Sequence, residues 1–261
     1  MGRRDESRDN ARMTLALKNG YETGMQLADD PQVWVFDNFL TPDECLHIIE
    51  LAEPRMDDAL VSRLGTNSSS ERRTGQVAWV KHDEDAVIRG LVGRVSELVA
   101  VPADHAENLQ VIHYGEEQEY QAHFDAWDIE TDKGKEKTAR GGNRAVTALL
   151  YLNEVDGGGG TGFPKLDLEV QAIPGRMVIF HNLYEGYSAR HRKALHGGLP
   201  VTAGEKWACN LWFREQQYQN VAVAARGRPA RSARAAGPSS AGAANRAARR
   251  RAERASRKRN R

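Results

Sequence analysis

The residues best suited to chemistry stand together in His123-Phe124-Asp125. In a β-strand, side chains two apart share a face, so this spacing sets one imidazole beside one carboxylate. A further neutral imidazole from a later strand would complete a facial triad of two histidines and one carboxylate. Such a triad suits non-haem Fe(II), because three coordination positions stay open for substrate and oxygen. His-x-Asp by itself is a common accident of sequence, so the third ligand matters. The candidates are His181, His191 and His196. His191 lies in Arg190-His191-Arg192-Lys193, which reads as a solvated basic turn, and His181 ends a strand as a structural histidine would. His196 is favoured, because Lys206 follows ten residues later. A buried lysine there could pair with the carboxylate of a co-substrate through a compact charge and three donors.

Other groups read more simply. Gly157–Gly162 lacks the Gly-Lys-Ser/Thr ending of a phosphate loop and is expected to be a flexible turn. His82-Asp83-Glu84-Asp85 carries acidic residues where a helix begins, an ordinary complement to the helix dipole. Glu116 and Glu117 fall on a turn, and Cys209 alternates within a strand as a core residue.

The elements that must position the site follow from periodicity. Val33-Trp34-Val35-Phe36 reads as a strand. Thr41-Pro42-Asp43-Glu44 announces a capped helix that stops before Pro54. Residues 62–76 read as a loop. A second helix spans about 83–100, with Val87, Ile88, Leu91, Val92, Val95, Leu98 and Val99 in one apolar stripe. After Pro102 the pattern changes to short strands: Leu109 to Tyr114, Val146 to Leu152, Met177 to Phe180 and Trp207 to Phe213. Residues 133–142 read as loop. Helices first and a β core afterwards define an α+β chain with helices packed on one side of a sandwich or barrel.

The chain has 261 residues, 40% of them hydrophobic, with a formal net charge of +1. That near-neutrality hides a segregation. Residues 222–261 hold twelve Arg, one Lys and one Glu, or +12. The rest, with 24 basic and 35 acidic residues, carries −11. An acidic body is thus followed by a basic tail too poor in large apolar residues to offset its ordering entropy. The tail is expected to be disordered and to touch polyanions non-specifically by counterion release. It contains no aromatic residue for base stacking. Two cysteines, Cys45 and Cys209, exclude a disulfide scaffold and a multi-cysteine zinc site. No apolar run reaches the length of a membrane span, and the N-terminus lacks a signal peptide's apolar stretch, so a cytoplasmic protein without membrane contact is expected.

The core blocks LQVIHYGEEQEYQAHFDAW, GGNRAVTALLYLNEVDGGGGTGFP, IPGRMVIFHN and HGGLPVTAGEKWACNLWFRE occur in this order over Leu109–Arg214. Together with the weaker FDNFLTPDEC and SSSERRTGQVAWV upstream, they resemble the prolyl 4-hydroxylase-like 2-oxoglutarate- and Fe(II)-dependent dioxygenases over about residues 31–214. The resemblance implies a double-stranded β-helix, or jelly roll, buttressed by N-terminal helices. With a polar flexible arm at 1–30 and the basic tail at 222–261, it divides the rest into a support region at 31–105 and a dioxygenase core at 106–216. It assigns Fe(II) to His123, Asp125 and His196, and the distal carboxylate of 2-oxoglutarate to Lys206. Tyr114 would hydrogen-bond the co-substrate and Thr147 would line the same pocket. Arg144 would border the peptide groove, and Arg73 and Thr74 would lie in a loop over the substrate. O2 would be the second co-substrate, L-ascorbate would restore oxidised iron, and the products would include succinate and CO2. The implied partner is a proline-containing peptide or protein. A free amino acid or small metabolite is the alternative within the same chemistry, and a polyanion- or ribosome-binding scaffold with an inactive site is the alternative outside it. One departure from the family pattern is Gly160, where an acidic residue is usual.

Overall fold

A computed structural model describes residues 15–58 and 75–218. Arg73, Thr74 and the tail at 222–261 lie outside the described residues. The strands are β1 (Met25–Asp29), β2 (Gln32–Phe36), β3 (Asp57–Asp58), β4 (Gln76–Val80), β5 (Leu109–Tyr114), β6 (Tyr120–His123), β7 (Arg144–Tyr151), β8 (Gly157–Gly158), β9 (Thr161–Phe163), β10 (Leu168–Val170), β11 (Met177–His181), β12 (His196–Gly198), β13 (Val201–Ala203) and β14 (Lys206–Arg214). The α-helices are α1 (Pro42–Ala52), α2 (Ala86–Val99) and α3 (Asp132–Thr138).

Eight strands build the major sheet in the order β1-β2-β11-β7-β14-β5-β4-β3. Four build the minor sheet, β10-β9-β12-β6, and β13 pairs with β8. The two sheets are those of a double-stranded β-helix. The strands at the centre of the major sheet read as near-continuous apolar runs because both faces are covered. From β7, Val146, Ala148 and Leu150 enter the core shared with α1 and α2, beside Ile48, Leu91 and Val95. Leu149 and Tyr151 of the same strand point between the sheets, among Tyr114, Phe163 and Phe180. The period of two thus sends one set of side chains to the helices and the other to the site.

Local chemistry sets the helix ends. Thr41 accepts from the Glu44 N–H at 3.2 Å while Glu44 accepts from the Thr41 N–H at 2.9 Å. This reciprocal box is worth about 1 kcal/mol. Asp85 caps α2 by accepting from the Ile88 N–H. Helix α2 begins at Ala86, after the start at about residue 83 that the sequence suggests, and Val87 is exposed. The acidic run His82–Asp85 is absorbed by that cap and by a Glu84–Arg55 ion pair.

The structure departs from the sequence reading in four places. Order begins before Pro31: within the expected arm, β1 pairs with β2, and Tyr21 is buried against Trp34 and Phe36. Its short polar stretch hides one large anchoring ring. Gln76–Val80, at the end of the expected loop, is a strand on β5. Within 133–142, α3 forms because Thr131 caps it and Gly134 has no side chain. A Cβ there would stand 1.8 Å from the Asp128 carbonyl oxygen. The glycine-rich 157–162 stretch forms β8 and the start of β9 instead of a free turn.

Tyr21 ties the N-terminal segment down, and its hydroxyl shares a 3.1 Å hydrogen bond with His181 Nε2. We expect Tyr21→Ala to lower unfolding free energy by about 3 kcal/mol, as for loss of a buried aromatic ring. Urea unfolding checks this, and a loss below about 1 kcal/mol would show a loosely held arm.

Candidate metal centre

Strand β12 pairs antiparallel with β6 so that His196 lies directly opposite His123. Asp125 sits just past the end of β6, in a bend rather than in the strand expected for it. The bend still delivers its carboxylate to the imidazoles. Asp125 Oδ1 is 3.6 Å from His123 Nε2, and Oδ2 is 3.5 Å from His196 Nε2. One ligand atom from each of the three falls within 4.8 Å of the others, a spacing that a single metal ion can bridge.

The imidazoles are prepared for that role. Nδ1 of His123 donates to the Gln121 carbonyl and Nδ1 of His196 to the Ala194 carbonyl, each at 3.0 Å. These bonds fix the tautomer and turn each Nε2 lone pair inward. Burial pushes the His196 imidazolium down to about 4, so its ring is neutral. Burial alone would raise the Asp125 carboxyl, but the neighbouring His196 and His123 and the Arg144 charge hold it well below the usual carboxylate range. Two imidazole nitrogens and one carboxylate form the donor set that non-haem iron takes.

Lys206 opens β14 and lies opposite Tyr114 of β5. It is 2% exposed. Among the described residues its ammonium reaches only the Gly160 carbonyl, at 3.5 Å, and it lies 5.2 Å from the Tyr151 ring centre. Among the described residues no carboxylate comes within ion-pair distance of it. Burial pushes its pKa down to about 7. An ammonium so poorly served is a receptor for a carboxylate, because the incoming charge offsets the desolvation. Gly160 belongs to this receptor. Its carbonyl faces Lys206, and a Cβ there would stand 2.7 Å from the Val170 carbonyl, so no acidic side chain fits.

The other residues singled out in the sequence are placed as follows. Thr147 lies on the same inward face of β7 as Tyr151, at the metal end. Its hydroxyl donates to Asp125 Oδ2 at 2.7 Å. Arg144 spends Nε and Nη2 on both oxygens of Glu107, at 2.7 and 2.8 Å, and its guanidinium lies 3.5 Å from the Trp212 ring centre and 4.7 Å from that of Trp127. His181 is the structural histidine it resembled, held by Tyr21. His191 is not solvated: it is 2% exposed, with Nε2 on Asp30 and Nδ1 accepting from the Lys193 N–H. Cys209 is buried, and burial pushes its thiol up.

Four residues of the site escaped the sequence reading: Glu107, Tyr151, Thr161 and Asn182. Tyr151 hydroxyl and Thr161 hydroxyl share a 2.7 Å hydrogen bond beside Lys206. Tyr151 was legible in principle, since it stands four residues after Thr147 on the same face of one strand. Glu107 and Asn182 carry no local signal, because their partners are 37 and 35 residues away in sequence.

With this geometry in hand, comparison with known proteins places the chain. Residues 109–214 match the 2OG-Fe(II) oxygenase superfamily. The chain is 31% identical over 222 residues to the probable prolyl 4-hydroxylase 3 of Arabidopsis thaliana, covering 77% of this chain and 76% of that one. It is 32% identical over 192 residues to the putative prolyl 4-hydroxylase of Acanthamoeba polyphaga mimivirus, covering 73% and 78%. In structure it is similar to the viral collagen prolyl hydroxylase of Paramecium bursaria Chlorella virus-1, solved as its 2-oxoglutarate complex. That likeness has a TM-score of 0.55 at 26% identity and covers 69% of this chain and 94% of the other. The chain belongs to the 2OG-Fe(II) oxygenase superfamily, and within it to the prolyl 4-hydroxylases. It is a 2-oxoglutarate-dependent dioxygenase whose cofactors are Fe(II) and 2-oxoglutarate, with ascorbate typical of the family. Among the described residues no helix is long and apolar enough to cross a membrane.

The depressed Lys206 has a signed consequence. Between about pH 7 and 10 the unfolded chain holds that proton and the ligand-free native state does not. Stability from this group therefore rises with pH across that window. We expect wild-type protein to gain thermal stability, relative to Lys206→Met, as pH rises from 7 to 9.5 without 2-oxoglutarate. Parallel melting curves at both pH values would contradict the burial of an uncompensated ammonium.

Proposed function

We propose that the chain hydroxylates prolyl residues of a peptide or protein, with iron held by His123, Asp125 and His196 and the far carboxylate of 2-oxoglutarate by Lys206. The single observation that carries the assignment is the pairing of a preorganised His/Asp/His set with a buried, unneutralised lysine inside one β-helix. When bound, iron with 2-oxoglutarate and O2 supplies an oxidant strong enough to hydroxylate an unactivated C–H bond, releasing succinate and CO2.

The chain's own residues do the rest. Lys206 and Tyr151 orient the co-substrate from its distal end, with Tyr114 on the neighbouring strand. The fixed Nδ1 donors hold His123 and His196 as neutral nitrogen ligands. Phe163 and Phe180 flank His196 and keep that side of the interior dry. A peptide substrate is supported by the rings around Arg144. Trp127 and Trp212 sandwich its guanidinium, and Trp79, 48% exposed, extends the aromatic series from Trp212 to the surface. Proline-rich segments dock on such aromatic walls because their extended helix is already formed. The relatives' names, prolyl 4-hydroxylase and collagen prolyl hydroxylase, support the same substrate class. The +12 charge of residues 222–261 supports polyanion contact by that segment.

The test is succinate release by iron-loaded protein with 2-oxoglutarate, ascorbate and O2, with and without a proline-rich peptide. We expect peptide-stimulated succinate and a product one oxygen atom heavier. Stimulation by small molecules but not by peptides would overturn the peptide reading. His123→Ala or Asp125→Ala is expected to abolish turnover. Lys206→Ala is expected to raise KM for 2-oxoglutarate roughly 10- to 100-fold, the effect of losing one charged hydrogen bond worth about 1.5–3 kcal/mol. An unchanged KM would remove Lys206 from the site.

A further inference from the structure

Two buried polar side chains beside the metal centre have no part in the reaction as described so far. Thr147 is fully buried on β7, and Asn182 follows β11 at 1% exposure. A threonine hydroxyl has one hydrogen to give. An ionised carboxylate can only accept, so that hydrogen goes to Asp125 Oδ2 at 2.7 Å. The hydroxyl oxygen then accepts from Asn182 Nδ2 at 2.8 Å. The direction of the chain Asn182 to Thr147 to Asp125 is thereby fixed. Asn182 is itself held by its main chain. Its N–H donates to the Ala145 carbonyl at 2.9 Å, and its carbonyl accepts from the His191 N–H at 2.8 Å. His191 is in turn anchored on Asp30. The relay therefore ends on rigid backbone.

This relay treats the two oxygens of Asp125 unequally. Oδ2 receives a short hydrogen bond from a hydroxyl that cannot turn away. Oδ1, 3.6 Å from His123 Nε2, has no hydroxyl or amide donor among the described residues. A carboxylate free at both oxygens can chelate a metal and use two coordination positions. One capped at a single oxygen offers the other alone.

We propose that Thr147, oriented by Asn182, is a positioning residue that caps Asp125 Oδ2 and holds the carboxylate to ligation through Oδ1. The coordination position spared in this way is the one that lets 2-oxoglutarate and O2 bind together. The proposal rests on the reading of His123, Asp125 and His196 as the iron ligands.

The test uses the full chain with Co2+ as probe. Thr147→Val keeps the shape and removes the hydroxyl, and Thr147→Ser keeps the hydroxyl. Three quantities are read: the Co2+ dissociation constant by chelator competition, the visible d–d absorption with and without 2-oxoglutarate, and KM for 2-oxoglutarate against kcat. We expect Thr147→Val to weaken Co2+ about 10-fold, the usual loss when a hydrogen bond behind a ligand is removed. It should also change the d–d band and raise KM for 2-oxoglutarate, and Thr147→Ser should restore all three. Wild-type affinity and spectrum in Thr147→Val would overturn the proposal. So would equal losses in the Val and Ser variants, since packing and not the hydroxyl would then be responsible. Should Thr147→Val fail to fold, Asn182→Leu removes the donor that aims the hydroxyl. A changed d–d band in that variant supports the proposal and an unchanged one overturns it. His123→Ala and His196→Ala separate the two levels. If both bind Co2+ like wild type, the ligand assignment itself fails. If both lose Co2+ while Thr147→Val is unaltered, only the positioning role fails.

Discussion

The whole site depends on one cross-strand register, His196 of β12 opposite His123 of β6. A slip of one residue would send the His196 imidazole to the outer face of the minor sheet. The strand is only three residues long, so it cannot secure this register by length. It is secured by being sandwiched between β9 and β6, with glycines where the backbones approach. Gly197 lies opposite Gly162, and a Cβ on Gly197 would stand 2.8 Å from the Tyr120 carbonyl. Close approach without side chains on the outer face leaves the inner face to decide the alignment, and there the two histidines meet.

From that pairing the interior divides into two electrostatic ends. One holds an ionised carboxylate with two imidazoles. The other holds a single ammonium with a carbonyl and two hydroxyls. Each is costly to bury without its ligand, and each is supported by a rigid β-strand of the major sheet: Thr147 on β7 behind Asp125, and Lys206 at the start of β14. A ligand with metal-binding oxygens at one end and a free carboxylate at the other satisfies both, which is the shape of 2-oxoglutarate. The helices contribute at a distance. By covering the outer face of β7, β11 and β14, they keep the strands flat-packed and the inner face dry, where charge interactions are strongest.

Much of this was legible in the residues. The His123-x-Asp125 spacing, the apolar runs of β7, β11 and β14, and the Thr41-Pro42-Asp43-Glu44 cap are local signals with local causes. Lys206 was legible through its distance from His196. What stayed hidden depends on contacts between distant segments. Thr147 was expected in the co-substrate pocket, but its bond to Asp125, from another element, leaves no local signal. Glu107 gains its meaning only when Arg144 and Arg214 converge on it. His191 reads as a surface residue in its basic run, yet Asp30 from the N-terminal segment buries it. Gly134, within the expected loop, and Gly197 serve close packing in the fold.

The most direct test of the account is a structure of the protein crystallised without oxygen in the presence of Co2+ and 2-oxoglutarate, with the metal located by its anomalous scattering. The account predicts one metal between His123 Nε2, His196 Nε2 and Asp125, with the far carboxylate of 2-oxoglutarate against Lys206 Nζ. A metal bound elsewhere, or a 2-oxoglutarate whose far carboxylate leaves Lys206 without a charged partner, would contradict it.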